Sequence, residues 1–568
     1  GSNKWNTNGA WVLGVQPTAA DDVIIPASAV VTIPSGITAL GRSLTVQASG
    51  TFAMAATTST LTLGDGTPGA GNVALSVSST ATITLTGIGT INFATSSATQ
   101  QTITSGGKTL PALTFGSASG NCNLLLSDAL TTSGILTLSR GTFDTGNFNV
   151  TTSNQFFGSG SNARTLTMGS SAITAAGGAN AFNFAVITNL TVTTNTAVIT
   201  VSGDRIVQRG TLDWQGASFI MTGTGTIEGD GGTLTCKDFT RTGTATKTNA
   251  LRLGLSVTCT GTLTINGNST VNRIIVLSNT AGTAQTLTAA TVSVSNADFQ
   301  DITGAGAGSW NLSAITGLSG DCGGNSGITF TTPATQTATG TASFTWSTHG
   351  WTSRVPLPQD DVVINNAFVA SQTIAADMPR LGKSIDFTGV TGSVAMNNSI
   401  PNSMYGSLTL ATSMSSVTLF SNVITLSGRG SHTITSAGRT ITNANAGLTI
   451  DAPGGTYSLS DALTVAGDIA LNNGTLTTNN YAVQSGRLLN SSTASTINLG
   501  TTTWTILQAG AASPSFTVAA ATTFNGSNST IVFSTSTSNA VTRTFAGGGK
   551  TYGDLTYTVA GASGQLSI

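Results

Sequence analysis

The chain has 568 residues, too many for one compact core, and only 7% of them are charged, whereas about 25% is usual in globular domains. Its net charge of -1 gives no electrostatic basis for binding nucleic acid or an anionic membrane surface. No apolar run approaches the ~18 residues of a membrane span, so no membrane insertion is expected. Gly, Ser, Thr and β-branched residues dominate, which favours short strands and turns over helices.

Residues 3–50 predict a terminal module of the fold. Trp5 and Trp11 precede a turn that runs from Pro17 to Asp21-Asp22, and an apolar strand follows the turn. A repeat protein must shield the end of its core, so the tryptophans are expected to cover the first coil.

From residue 52 to residue 200 the pattern is one of short strands with alternating apolar and polar residues, as in Leu61-Thr62-Leu63 and Ile91-Asn92-Phe93. Gly, Ser or Asn turns bound each strand. The apolar side chains therefore share one face, and no helical stretch that would indicate a βαβ sheet interrupts the strands.

One block in this region occurs twice. Ser127-Asp128-Ala129-Leu130-Thr131 returns without a gap as Ser460-Asp461-Ala462-Leu463-Thr464. The flanking segment 102–109 returns at 433–440 with nearly the same offset, and its Gly-Gly-Lys-Thr core appears again at 548–551. Self-similarity on this scale indicates an elongated repeat architecture.

The terminal module also returns, with Trp346, Trp351 and a turn from Pro356 to Asp360-Asp361. We therefore predict two domains, a first array over residues 1–335 and a second over 336–568. The second array ends in mid-pattern, so we expect the repeat to continue beyond Ile568.

The predicted fold is all-β: a parallel β-helix (β-solenoid) made of two duplicated arrays. Strand-turn-strand units recur at intervals of roughly 20–25 residues, which fits one coil each. The alternative is a string of β-sandwich domains, which would need closed units of ~100 residues with long cross-connections.

The tryptophan and Asp-Asp module, the Gly-Gly-Lys-Thr block and the Ser-Asp-Ala-Leu-Thr block together resemble repeat-rich virion and fibre-like proteins of bacteriophages and related bacterial surface adhesins. The resemblance covers most of the chain except about 202–290. It implies an extended, often oligomeric protein on a virion or outside a cell, with a shaft that is not an enzyme.

Catalysis on glycans would need two carboxylates held together. Away from the terminal modules the close acidic pairs are Glu228 with Asp230 and Asp298 with Asp301, while Asp321 stands alone in a Gly-rich run. Asp298 and Asp301 should face opposite ways on a strand unless a turn intervenes. We expect turn or surface roles for all five, and no catalytic residue is assigned.

Other candidate sites are equally weak. Asp21-Asp22 and Asp360-Asp361 lack the oxygen-rich loop of a calcium site and are expected to cap turns. His349 and His432 have no catalytic or metal-binding pattern around them. Gly106-Gly107-Lys108-Thr109 lacks the first glycine and the helix of a phosphate loop and predicts a strand turn with a solvated lysine. No metal or cofactor is expected.

The four cysteines, Cys122, Cys236, Cys259 and Cys322, are too scattered for a disulfide scaffold. The first expectation is that they are small buried apolar residues. Cys236 and Cys259 are separated by about one coil, so they could also stack on adjacent coils and form a bridge in an oxidising compartment.

These observations favour a non-enzymatic structural protein, such as a fibre, shaft or decoration, with an adhesion role on a virion or outside a cell. The alternative is a tailspike-like protein that binds or cleaves glycans. The expected partners are further copies of the chain and a cell-surface glycan.

Overall fold

The computed structural model describes residues 3–64, 67–116, 121–368, 372–419, 421–441, 447–490, 495–507, 515–535, 542–559 and 565–568. All paired strands in these ranges are parallel, and they stack as a β-solenoid of about 22 turns. The described residues contain no α-helix, only 3-10 turns at Asn8–Ala10 and Ala70–Asn72. The predicted β-solenoid is confirmed, and the β-sandwich alternative is wrong because sandwiches are built from antiparallel pairs.

The first array contributes strands β1 to β36. In chain order they span Asp22–Ile25, Val30–Ile33, Thr38–Gly41, Ser43–Val46, Thr51–Met54, Thr60–Leu63, Val73–Val77, Thr82–Leu85, Thr90–Phe93, Gln101–Thr104, Thr109–Leu110, Ala112–Phe115, Asn123–Leu126, Leu130–Thr132, Leu136–Leu138, Gly141–Asp144, Val150–Thr152, Phe156–Gly158, Arg164–Gly169, Ala172–Ala175, Phe182–Phe184, Leu190–Thr194, Val198–Val201, Arg205–Gln208, Leu212–Asp213, Ser218–Met221, Thr226–Glu228, Thr233–Cys236, Phe239–Thr242, Ala250–Leu253, Ser256–Asn266, Ile274–Ser278, Gln285–Ser295, Ala297–Gln300, Ile302–Ala305 and Ser319–Asp321.

The second array contributes strands β37 to β61. They span Thr335–Gly340, Phe344–Thr345, Asp361–Asn366, Gln372–Ala375, Ile385–Asp386, Gly392–Asn397, Asn402–Met404, Leu408–Thr409, Met414–Leu419, Ile424–Leu426, Ser431–Thr435, Thr440–Ile441, Leu448–Leu459, Leu463–Val465, Ile469–Thr477, Val483–Ser485, Leu488–Leu489, Ser495–Asn498, Thr503–Ile506, Phe516–Thr517, Thr523–Asn525, Thr530–Thr535, Thr542–Ala546, Asp554–Val559 and Gln565–Ser567.

Most strands of the first array pair with the strand three positions further on, so each coil supplies one strand to each of three faces. One face is the sheet β1-β4-β7-β10-β13-β16-β19-β22, and another runs from β3 through β6 and β9 to β36. The second array is built in the same way. In each array two long strands, β31 and β33 in the first and β49 and β51 in the second, turn a corner and join two faces in one sheet. Between the described strands, no pairing links the two sets of sheets. The domain limits 1–335 and 336–568 themselves stay a prediction.

Alternation along the strands builds the core. In β6 and β12 every second residue is buried, and register pairing then places like residues above one another. One apolar column of the first array follows the register pairs Leu113, Leu136, Phe156, Phe182 and Ile206. Leu130 and Leu463 are 1% and 2% exposed, so both lie in the core as the repeat pattern predicts.

The repeated Ser-Asp-Ala-Leu-Thr block ties adjacent coils together. The Asp128 carboxylate accepts hydrogen bonds from the backbone N–H groups of Ser105 at 2.6 Å and Gly106 at 2.7 Å, one coil earlier. Asp461 makes the same two bonds with Ser436 and Ala437, at 2.7 and 2.6 Å. Buried turn N–H groups need acceptors, and this aspartate supplies them in both copies.

A second repeated feature is an asparagine in the left-handed region. Asn147 (φ 66°) and Asn480 (φ 67°) use their Oδ1 atoms to accept the backbone N–H groups of Ser170 and Thr501, both at 2.9 Å. Asparagine tolerates this conformation better than most residues and can bond to neighbouring backbone. The repeat therefore preserves contacts between coils as well as the apolar pattern.

The tryptophan modules have the same geometry in both arrays. Trp11 Nε1 donates to the carbonyl oxygen of Trp5, and Trp351 Nε1 donates to that of Trp346, both at 2.8 Å. The ring centroids lie 5.0 and 4.9 Å apart. Trp5 and Trp346 are buried in the ends of their cores.

Candidate functional site

The first residues of the second array pack against the last coils of the first array. We call this region the junction and define it by contacts of Lys247, Arg273, Asp298, Asp301 and the segment 319–332 with residues 356–359, 377, 380 and 429. It contains three of the five acidic residues weighed above for catalysis, Asp298, Asp301 and Asp321.

Asp298 lies at the centre of the junction with no exposed surface. Arg273 Nε donates to its two carboxylate oxygens at 2.9 and 3.0 Å, and Arg380 Nε, from the second array, donates to Oδ2. The remaining guanidinium donors reach backbone carbonyls: Arg273 Nη1 to Thr270 at 2.6 Å and Arg380 Nη2 to Arg273 at 3.1 Å. The three charged side chains form a closed, hydrogen-bonded triad.

The charge of Asp298 also changes the acidity of Arg380. Burial has the largest single effect and would lower the pKa of Arg380, but the charge of Asp298, the neighbouring Cys322 and Tyr405 and the hydrogen bond to Asp298 together raise it above the ordinary value. The guanidinium of Arg380 therefore stays charged.

Asp301 forms a second ion pair across the junction. Its Oδ2 accepts from Arg429 Nη2 at 2.6 Å and from the backbone N–H of Gly282 at 2.9 Å. Asp301 has φ 55°, just after β34 ends at Gln300, so a turn does intervene between it and Asp298. The expected surface role is wrong for Asp298 and Asp301, since their side chains are only 0% and 4% exposed and ion-paired, whereas the expected turn role holds for Asp301.

The second tryptophan module completes the junction. Gln359 Nε2 donates to the carbonyl oxygens of Ser319 at 3.0 Å and Thr331 at 2.8 Å, and its Oε1 accepts from the Asp321 N–H at 2.9 Å. Asp321 itself caps its own loop by accepting from the Gly323 N–H at 2.8 Å. The Gly-rich run at 320–330 is thus part of the surface that receives the second array.

Lys247 and Asp377 add an ion pair at the side of the junction, where each side chain is about a quarter exposed. Burial would raise the pKa of Asp377, but its bonds from Lys247 and Ser347 outweigh burial and lower it below the ordinary value.

Glu228 and Asp230 both lie on the outside of the first array, and Glu228 is ion-paired. Glu228 forms an ion pair with Arg205 on the outside of the coil, where the side chains are 34% and 42% exposed. Asp230 lies exposed in the turn that follows β27.

The aspartates of the tryptophan modules cap turns. Asp21 Oδ2 accepts from the Thr18 N–H at 2.8 Å, and Asp360 Oδ2 accepts from the Leu357 N–H at 2.9 Å. This bond to Thr18 lowers the pKa of Asp21. The predicted capping role is confirmed for both residues by these bonds.

The second aspartate of each pair faces a cation. The hydrogen bond from Arg42, with a smaller contribution from the one donated by Ser43, lowers the pKa of Asp22 despite partial burial. Asp361 lies 4.0 Å from Lys383. In the part of the chain that the structure describes, no group of three or more His, Cys, Asp or Glu side chains could hold a metal.

The two histidines lie apart, both in the second array. His349 packs against Phe344 and Trp351, with ring centroids 4.2 and 5.2 Å away. His432 packs against Tyr457 at 5.3 Å. Burial lowers the pKa of both histidines, and the positive charge of Lys383 lowers that of His432 further.

Residues 105–108 form a turn between β10 and β11, as predicted, and no helix follows it. The four cysteines are all buried free thiols, which confirms the first expectation for them. Cys236 and Cys259 are direct register partners on neighbouring strands, so the predicted stacking is confirmed as well.

A polar cleft of about 590 Å³ opens on the second array. Its walls include Asn498, Asn525, Asn528, Lys550 and the half-buried ring of Phe524. Asn525 Nδ2 donates to Asn498 Oδ1 at 2.6 Å, so the two amides form a ladder from one coil to the next. Nothing in the sequence analysis singled out this cleft, although the Asn-Gly-Ser-Asn run at 525–528 marks the turn that forms one wall.

Comparison of the chain with protein-family models, curated proteins and solved structures finds no match. The resemblance to bacteriophage fibre-like proteins and bacterial adhesins therefore stays a prediction. No helix in the described ranges is long and apolar enough to cross a membrane.

The sequence reasoning missed the four cations of the junction, which are Lys247, Arg273, Arg380 and Arg429. A signal did exist for Arg273. It directly precedes the apolar run Ile274-Ile275-Val276. In a chain with so few charges, an arginine next to a buried strand indicates a paired cation.

Proposed function

We propose that the chain is a non-enzymatic structural protein, a fibre, shaft or decoration with an adhesion role, on a virion or outside a cell. The observation that carries the proposal is the continuous stacking of parallel coils in two arrays that are fastened to each other by buried ion pairs. Such a stack gives length and stiffness without a compact body, and each coil contributes the same kind of stabilising contact.

The chemistry of the acidic residues supports the same proposal. Asp298, Asp301 and Glu228 are each bound to an arginine, and Asp321 is bound within its own loop. Ion pairing and turn capping give each of these carboxylates a structural role.

Further copies of the chain are the expected partners. A net charge of -1 provides little repulsion, whereas a magnitude of ~2–8 is what usually keeps small domains apart. The sides of the coils carry Ser, Thr, Ala and Val, so like surfaces should associate with cyclic or helical symmetry. Sedimentation at micromolar concentration is expected to show oligomers, and a stable monomer would contradict this part of the proposal.

Scattering and an activity assay test the structural role itself. We expect small-angle scattering of the full chain to give an elongated particle, and we expect no release of reducing sugar from capsule or lipopolysaccharide. Depolymerisation that disappears in a Glu228→Gln variant would overturn the proposal in favour of a glycan-cleaving spike.

Glycan binding is the second candidate function, and the cleft on the second array favours it. Neighbouring amides can bond to sugar hydroxyls, and the Phe524 ring offers an apolar surface beside them. We expect binding on a glycan array to fall at least 10-fold in Asn525→Ala. Asn123→Ala, on the first array, serves as the control and should bind as the parent chain does. Equal binding by both variants would exclude this cleft as the site.

A further inference from the structure

Cys236 and Cys259 face each other inside the first array. They are register partners in β28 and β31, and their Sγ atoms lie 4.0 Å apart. Their exposed fractions are 0% and 3%. The other two cysteines lie elsewhere: Cys122 Sγ is 3.3 Å from the carbonyl oxygen of Arg140, and Cys322 is buried in the junction.

We propose that Cys236 and Cys259 are an oxidation site that closes to form a disulfide between neighbouring coils. Register partners on adjacent parallel strands have Cα atoms about 4.8 Å apart, within the range of roughly 4.4–6.8 Å that a disulfide spans. The sulfur atoms need to approach by about 2 Å, and because the Cβ atoms of a disulfide lie roughly 3.5–4.5 Å apart, the two strands must also draw slightly together as the bridge forms. This inference is independent of the adhesion or shaft role proposed above.

The oxidant is a small disulfide, and glutathione disulfide is the probe. The Cys259 thiolate attacks one sulfur of the probe, and the departing glutathione thiolate takes up a proton. The Cys236 thiolate then attacks Cys259 Sγ and releases the second glutathione as a thiol. One probe disulfide is reduced to two thiols, and the two protein thiols lose two hydrogens to become one disulfide.

Burial determines when this reaction occurs. The hydrogen bond with Cys259 and burial both raise the pKa of Cys236, so little thiolate exists in the closed fold. The bridge therefore forms quickly while the coils assemble and slowly once they have closed. The same burial protects the finished bridge from reductants, since exchange needs access to sulfur.

The test uses the full chain with glutathione disulfide in two arms, one with the native protein and one with protein refolding from denaturant. Free thiols are then alkylated in denaturant and the peptides are mapped by mass spectrometry. We expect one linked pair, Cys236 with Cys259, at least 10-fold faster in the refolding arm, with Cys122 and Cys322 alkylated. Four alkylated cysteines in both arms, a glutathione adduct on Cys259 without a link, or a bridge to Cys122 or Cys322 would overturn the proposal.

Variants provide a second readout. Cys236, Cys259 and Ala289 are successive register partners on neighbouring coils. Alanine is thus already accommodated in this stack of side chains, so Cys236→Ala should fold. We expect oxidation to raise the melting midpoint of the parent chain and of Cys122→Ala by the same amount, and to leave Cys236→Ala unshifted. A shift that persists in Cys236→Ala would show that another oxidation causes it.

Discussion

Replacing Asp298 by asparagine tests the buried ion-pair triad of the junction. Arg273 and Arg380 donate to Asp298, and the three side chains are 0%, 4% and 0% exposed in the order Arg273, Arg380, Asp298. Asp298→Asn keeps the size of the side chain but leaves two buried guanidinium groups without a counter-charge. Breaking a buried pair in this way costs about 3–5 kcal/mol, because the remaining charge cannot be solvated.

Asp361→Asn is the matched control, since it makes the same chemical change at an exposed ion pair of the second array. Asp361 and Lys383 are 4.0 Å apart and about half exposed, so losing their pair should cost only about 0–1 kcal/mol. Both variants lose one negative charge, so any difference between their effects reports the burial of the Asp298 ion pairs.

Hydrogen exchange is the suitable assay, because a repeat chain of this length will not unfold in a single step. We expect Asp298→Asn to lower the opening free energy of β34 and of the neighbouring junction segments by about 3–5 kcal/mol, which is more than 100-fold in amide protection. Protection in the first coils should not change. If Asp298→Asn and Asp361→Asn have equal effects, the triad does not stabilise the junction and the reasoning is refuted.

Three further predictions concern the coils. Leu130→Asp places an unpaired charge in the core and should lower the opening free energy of that coil by several kcal/mol in hydrogen exchange, whereas Thr131→Asp, on the outer side of the same strand, should lower it by less than about 1 kcal/mol. Asp128→Ala leaves two turn N–H groups without their acceptor and should lower the stability of that coil by about 1–3 kcal/mol, measured by hydrogen exchange. The pKa of His432 is lowered in the fold, so as the pH falls the unfolded chain takes up a proton at this residue at a higher pH than the folded chain does. Stability of the second array should therefore fall as the pH drops below about 6.5, and His432→Gln should reduce this loss in pH-dependent melting curves.

The sequence was sufficient for the coil architecture because the determining contacts are local and repeated. Alternation in segments such as Leu61-Thr62-Leu63 fixes which side chains face inward, and the regular spacing fixes which strands become neighbours. The separation of 23 residues between Cys236 and Cys259 matched one coil, so even their register could be inferred. A one-residue error in register would have turned the apolar set outward, which makes the pattern strongly informative.

The junction could not be predicted in this way, because its contacts join residues that no periodic pattern relates. Asp298 lies 82 residues from Arg380, and Asp301 lies 128 residues from Arg429. These pairs depend on how two finished solenoids meet, whereas the pattern describes only how one solenoid winds. The turn at Asp301 is a further example, since an aspartate with positive φ is uncommon and is favoured here by its bonds across the junction.

The nature of the junction has a consequence for how the two arrays are oriented. Apolar contacts alone would not fix how far one solenoid slides along the other, because the burial of apolar area is non-directional. The triad does not tolerate such sliding, because a shift would separate the Arg380 guanidinium from Asp298 and leave both charges buried and unpaired. Arg429 with Asp301 imposes the same condition at a second point. With the Lys247–Asp377 pair and the Gln359 hydrogen bonds as further contacts, both position and rotation are fixed, so the junction specifies one arrangement of the arrays at a cost in desolvation that apolar residues would not incur.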